Sequence, residues 1–148
     1  MKTIEIDFTV PEQIIEVVED SNIVGKYIGR GDNELSTKIV ILHKNCYITS
    51  RINIKAVVFD KAKFDFEGLL RIEKGAVGTD TYLKIDCLVM NENASARAIP
   101  SLEIMESEVK GGHGATIGYL DPQQIYYLKS HGLSPLETEN LLVNAFLS

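Results

Sequence analysis

The chain has 148 residues, 45% hydrophobic and 24% charged, which suits one domain with a buried core. Its net charge of −6, with lysines and arginines scattered, argues against a nucleic-acid partner. Two cysteines are too few for a disulfide framework, the start carries no signal-peptide pattern, and no run approaches the ~18 apolar residues of a membrane span, so a cytoplasmic protein with reduced thiols is expected.

Residues 1–110 read as β structure. "TIEIDFTV" alternates, with Ile4, Ile6, Phe8 and Val10 on one face. "PEQIIEVVED" is ambiguous: Pro11 and the acids suit a helix start, whereas Ile14, Ile15, Val17 and Val18 favour a strand. "STKIVILH" and "CYITSRINIKAVVF" are β-branched runs. "AKFDFEGLLRIEKG" places Phe64 and Phe66 on one face, then Leu70 and Ile72. "TYLKIDCLVMNEN" aligns Leu83, Ile85, Cys87 and Val89, and "ASARAIPSLEIMES" adds Leu102 and Ile104. Ala62, Ala76, Ala94 and Gly112 sit at small-residue corners spaced by 14, 18 and 18 residues. Tight corners suit a stacked β-solenoid, whose rungs lie about 4.8 Å apart. An antiparallel sandwich also gives short, regularly spaced strands, although the Asn-Gly and Asp-Gly hairpin turns it favours are missing.

The tail changes period. Asp121 as N-cap and Pro122 as first residue open a helix that stops at Gly132. Ser134, Pro135 and Glu137 form a capping box for a second helix, whose Leu141, Leu142, Ala145 and Phe146 make an apolar stripe with Thr138 at its polar end. A β core over residues 1–118 and a helical segment over 119–148 are therefore expected.

Few motifs carry chemistry. "GKYIGRGD" lacks the residue order of a phosphate-binding loop, and Arg30-Gly31-Asp32 reads as a polar turn. There is no C-x-x-C, H-E-x-x-H or G-x-S-x-G, so no catalytic residue is nominated and no enzyme is expected. His113, within "KGGHGAT", and the two cysteines are the soft or borderline metal-ligand candidates, with His43 and His131 in reserve. Cys87 shares a face with three aliphatic residues, where a cysteine acts as a small hydrophobe. His131 suits the negative end of a helix dipole. Tyr126 and Tyr127 read as packing residues of the first helix.

The run "PSLEIMESEVKGGHGATIGYLDPQQIYYLKSHGLSPLETENLLVNAF" resembles the C-terminal part of the SufB/SufD family, scaffold proteins of SUF iron–sulfur cluster assembly. "FEGLLRIEKGAVGTDTYLKIDCLVMNENASARAIP" is similar to the stretch before it, so the likeness covers about residues 50–148. It implies a right-handed parallel β-helix followed by a C-terminal helical hairpin. It also implies a non-enzymatic subunit that pairs through its β-helix, with a SufB-like subunit or with itself, and docks a SufC-type ATPase. By that likeness Tyr126, Tyr127, Leu141, Leu142 and Phe146 become candidate ATPase-binding residues. His113 matches the family histidine near the proposed cluster site at the paired interface. Gly114 matches the SufD-like pattern, and Gly111 stands where SufD-like sequences have cysteine. The SufB-like cysteine position falls at Ile85, with Cys87 two residues on and on the same strand face. His113 and Cys87 are thus the metal-ligand candidates, with an iron–sulfur cluster as the implied cofactor. The alternatives are a metal- or cluster-binding carrier using His113, and a degenerate β-helix interaction protein.

Overall fold

The computed structural model describes residues 1–148. Nine strands precede two helices: β1 (Lys2–Glu5), β2 (Glu12–Val17), β3 (Ser21–Gly29), β4 (Glu34–His43), β5 (Thr49–Val58), β6 (Lys63–Ile72), β7 (Asp80–Val89), β8 (Ser95–Ile104), β9 (Lys110–Tyr119), α1 (Pro122–Ser130) and α2 (Pro135–Leu147). Odd strands form one sheet in the order β1-β3-β5-β7-β9, and even strands form another, β2-β4-β6-β8. Every pairing is parallel. The chain therefore winds as a β-solenoid of about four turns, one strand per sheet in each turn. The antiparallel sandwich is excluded.

Alternation drives this winding. Isolated parallel sheets bury both faces under helices; here each sheet covers the other. Ile23, Ile52, Ile54, Leu83 and Ile85 of the odd sheet face Ile39, Ile41, Phe64, Phe66 and Leu70 of the even sheet, all essentially inaccessible to solvent. The intervening residues point outward and are mostly polar. "PEQIIEVVED" resolves as strand β2, because Ile15 and Val17 join this core while Ile14 stays exposed.

Three of the four expected small-residue corners are corners. Ala62, Ala76 and Ala94 are buried in turns, where they accept close stacking of successive rungs. Gly112 is not a corner residue: it lies inside β9, paired with Tyr82. The corner after the odd strands carries a ladder. The Asp60 carboxylate accepts from the Gly31 N–H at 2.8 Å, and the Asp60 N–H donates to the Asn91 side-chain oxygen at 2.6 Å. Asp121 occupies the next step in register, two residues beyond the Val89–Tyr119 pair. There the carboxylate instead accepts from the Gln123 N–H at 2.9 Å and caps α1. The helix thus starts where another corner would form, helped by Pro122, which preorganises a first helical turn.

Both helices are capped as expected. The Ser134 hydroxyl accepts from the Glu137 N–H at 3.1 Å, and Gly132 takes a φ of 89° after the end of α1. α2 lies on the outer face of the odd sheet, where Val143 packs with Val57 and Phe59, flanked by Leu88, Met90, Phe146 and Leu147. α1 contributes no buried residue.

Candidate functional site

Two regions collect the candidate residues: the last strand and the helical hairpin. β9 is the edge of the odd sheet, and the even sheet ends at β8. His113 pairs with the inward-facing Leu83, so it occupies the inner side of the last rung. No further even strand covers that side, and His113, Ala115 and Ile117 are exposed.

Cys87 sits on the same inner face but pairs with Ile117, four residues along from the Leu83–His113 pair. That separates the two side chains by about 13 Å along the strand. Within one chain the structure does not bring them together, and no group of three or more His, Cys, Asp or Glu residues is arranged to hold a metal ion. Burial, with a smaller contribution from Asp86, pushes the Cys87 thiol up to about 12. It is a neutral core group. A cluster binds thiolates, so this chain alone does not present the donor set for one at β9. Cys46 lies apart, exposed in the β4–β5 corner, with its thiol 3.1 Å from the Gly75 carbonyl.

His43, held in reserve as a ligand, is fully buried. Its Nε2 lies 2.8 Å from the Ser50 hydroxyl, which is 2.6 Å from the Thr81 hydroxyl, and its Nδ1 faces the Arg71 carbonyl at 3.4 Å. With the proton on Nδ1, the ring donates to that carbonyl and accepts from Ser50. The pattern "TKIVILH" carried the signal for this placement: Thr37, Ile39, Ile41 and His43 alternate, and all four are buried.

These buried groups set a pH dependence. Burial lowers the His43 pKa below its ordinary value, outweighing the opposing effect of the Arg71 carbonyl. Below about pH 6.5 the unfolded chain therefore binds a proton that the folded chain resists, and stability falls at up to about 1.4 kcal/mol per pH unit. Cys87 acts at the other limb, because its raised pKa makes the fold lose stability between the ordinary thiol value of 9.0 and about 12. Thermal melts from pH 8 to pH 5 should show a falling midpoint for the natural chain and a flatter profile for His43→Gln. An equal acid loss in both proteins would remove His43 as the cause.

The hairpin divides the expected docking residues. Tyr126 is 76% exposed, Tyr127 60% and Leu141 48%. Leu142 and Phe146 are only half-exposed, and Phe146 packs against the protein's own sheet beside Val143. Thr138, the polar end of the stripe, is buried. Tyr127, Leu128, Leu141, Leu142 and Ala145 line a groove of about 510 Å³ between the helices, with Asp121, Gln123 and Gln124 at its polar side. The sequence reading missed Val143, which anchors α2, and Leu136, which is exposed. Helical spacing marks a stripe, but does not tell which edge of it meets the sheet. No helix is long and apolar enough to cross a membrane.

The sequence matches a family model described as SUF system FeS cluster assembly, SufBD core domain, over residues 16–146. The chain is 34% identical over 110 residues to the iron-sulfur cluster assembly protein SufD of Escherichia coli, covering 74% of this chain and 26% of that protein. It is 34% identical over 121 residues to SufD of Bacillus subtilis, covering 82% and 28% respectively. An iron-sulfur cluster assembly SufBD family protein of Mycobacterium leprae is 29% identical over 121 residues, covering 82% of this chain and 14% of its own length. The chain spans about a quarter of the length of the two SufD relatives. With the parallel solenoid, the two-helix tail and a match over most of its length, the chain belongs to the SufBD core family of the SUF iron–sulfur cluster assembly system.

Proposed function

We propose that the chain is a SufD-like scaffold subunit, not an enzyme, that grips a SufC-type ATPase through α1 and α2 and pairs with a SufB-like subunit or a second copy through the open end of its solenoid. The cluster is the cargo of the assembly. The observation that carries this reading is the hairpin's two-sided character. One side of α2 is anchored on the sheet by Val143, while Tyr126, Tyr127, Leu136 and Leu141 face solvent. An anchored amphipathic element with a second apolar side is a surface for a protein partner.

Co-expression with a SufC-type ATPase followed by affinity capture tests it. Leu141→Asp combined with Tyr127→Ala is expected to weaken the complex by about a hundredfold, as for central anchors of an interface. His113→Ala should leave capture unchanged. A complex that survives the double substitution, with the fold intact by circular dichroism, would refute the docking surface.

A second reading is favoured by the exposure of His113 on the uncovered inner side of β9: it supplies one ligand of a metal or cluster site completed by thiolates of a paired subunit. Anaerobic reconstitution of the paired complex with iron and sulfide should give a chromophore that His113→Ala diminishes and Cys87→Ala spares. A chromophore indifferent to His113→Ala ends that reading.

A further inference from the structure

Three glycines flanking His113 are weak points of an edge strand. Gly111, Gly112 and Gly114 lie within β9, and glycine in a strand loses much conformational freedom and offers no side chain to pack. Only one side of β9 is hydrogen-bonded to a neighbouring strand. Such a segment frays unless something covers it.

Tyr82 does so. It points outward from β7 and pairs with Gly112. A β-carbon on Gly112 would lie 3.0 Å from Tyr82 Cδ2 and 3.1 Å from Cε2, and one on Gly114 would lie 2.9 Å from the phenolic oxygen. The ring therefore runs along β9 from Gly112 to Gly114, over the backbone of His113, in the space two side chains would fill. On the inner side, Ile104 approaches Gly111 in the same way, 3.0 Å from its missing β-carbon. Aromatic side chains that cover a glycine on an adjacent strand are a known means of holding an edge in register.

We infer that Tyr82 is a positioning residue: by packing across Gly112 and Gly114 it holds the His113 segment of β9 flat against β7. The ordering of the strand stands on this geometry alone. Its consequence for pairing or ligation rests on the reading of His113 given above.

Hydrogen exchange on the full chain tests the inference. Tyr82→Ala is expected to speed exchange of the β9 amides about tenfold while β3 and β5 keep theirs, because two uncovered glycines then set the local opening. Tyr82→Phe, which keeps the ring, should restore slow exchange. His113 should be carbethoxylated faster in Tyr82→Ala and at the natural rate in Tyr82→Phe, a difference that a general loss of stability does not reverse. Gly114→Ala gives an independent check. Its new methyl meets the phenolic oxygen, so β9 exchange should rise in the natural background and fall back when combined with Tyr82→Phe. Unchanged β9 exchange in Tyr82→Ala, or acceleration spread equally over β3, β5 and β9, overturns the inference. If Tyr82→Ala does not fold, the Gly114→Ala pair decides, and exchange that Tyr82→Phe fails to reverse counts against it. ATPase capture is unaffected by this outcome, so failure here is distinct from failure of the docking reading.

Discussion

Phe64→Ala is expected to lower the unfolding free energy by about 3–5 kcal/mol, as for other buried phenylalanines cut back to alanine. Phe64 is only 1% exposed. Its ring stacks on Tyr27 at 5.5 Å between centroids and on Phe66 at 5.9 Å, and meets Phe8 edge-on at 6.2 Å. Phe64 and Phe66 come from the even sheet, Tyr27 from the odd sheet and Phe8 from the turn after β1, so one ring ties both sheets to the first turn of the solenoid. In a solenoid each rung rests on its neighbours, and a gap at one rung weakens the coupling on both sides. Chemical denaturation should show a lower midpoint, and the first three strands should exchange faster than β7 and β9. A loss below about 1 kcal/mol would mean that the aromatic cluster closes over the gap, which mutational series associate with readily collapsing sites.

Val143→Asp is expected to release the tail and spare the trunk. Val143 is 5% exposed, and with Val57 and Phe59 it forms a small cluster separate from the 18-residue main core. A carboxylate placed there without a partner costs several kcal/mol. Outside this cluster, the flanking Phe146 and Leu147 and the buried Thr138, little fastens the hairpin. α1 buries no residue, and the Lys55 ammonium donates to the Ser148 carbonyl at 2.6 Å on an exposed surface. Limited proteolysis should cut within residues 122–147 much faster than in the natural chain, while the β signal in circular dichroism persists. Loss of tail and trunk in one transition would show that the hairpin is part of the folding unit. Under the proposed function this substitution should also abolish ATPase capture, because the exposed side of α2 is presented only while the other side is seated.

Much of the trunk is written in the alternation of single segments. Leu83, Ile85, Cys87 and Val89 face inward as their spacing implies, and so do Phe64, Phe66, Leu70 and Ile72. The caps are equally local: Asp121 and Ser134 accept from N–H groups two and three residues ahead, and such contacts depend on little beyond the neighbouring chain. The period of the winding was harder to see. Turns repeat every 29 to 31 residues, and their markers change identity from Gly31 to Asp60, Asn91 and Asp121. A count of small residues caught Ala62, Ala76 and Ala94 but also took Gly112 for a corner.

The site was legible only in pieces. His113 and Cys87 share the inner face of the odd sheet, yet the register sets them four residues apart. Register between strands depends on the summed packing of whole rungs, which no single segment contains. The side of α2 that docks is likewise chosen by Val57 and Phe59, more than 80 residues earlier in the chain.

Alternation, helical spacing and capping act within a few residues, so most strands with their inward faces, and the starts of both helices, were legible in the chain, whereas Glu12–Val17 stayed ambiguous and Ser21–Gly29 was not picked out as a strand. The parallel coil was implied by the family resemblance, but it took the folded molecule to show that His43 is sealed among hydroxyls while His113 is left uncovered, that Tyr82 lies on the glycines of the last strand, and which side of the tail faces solvent. Apart from the His43–Ser50 contact, which spans 7 residues, those outcomes depend on contacts between residues about 30 or more positions apart, and on which rung has another to cover it.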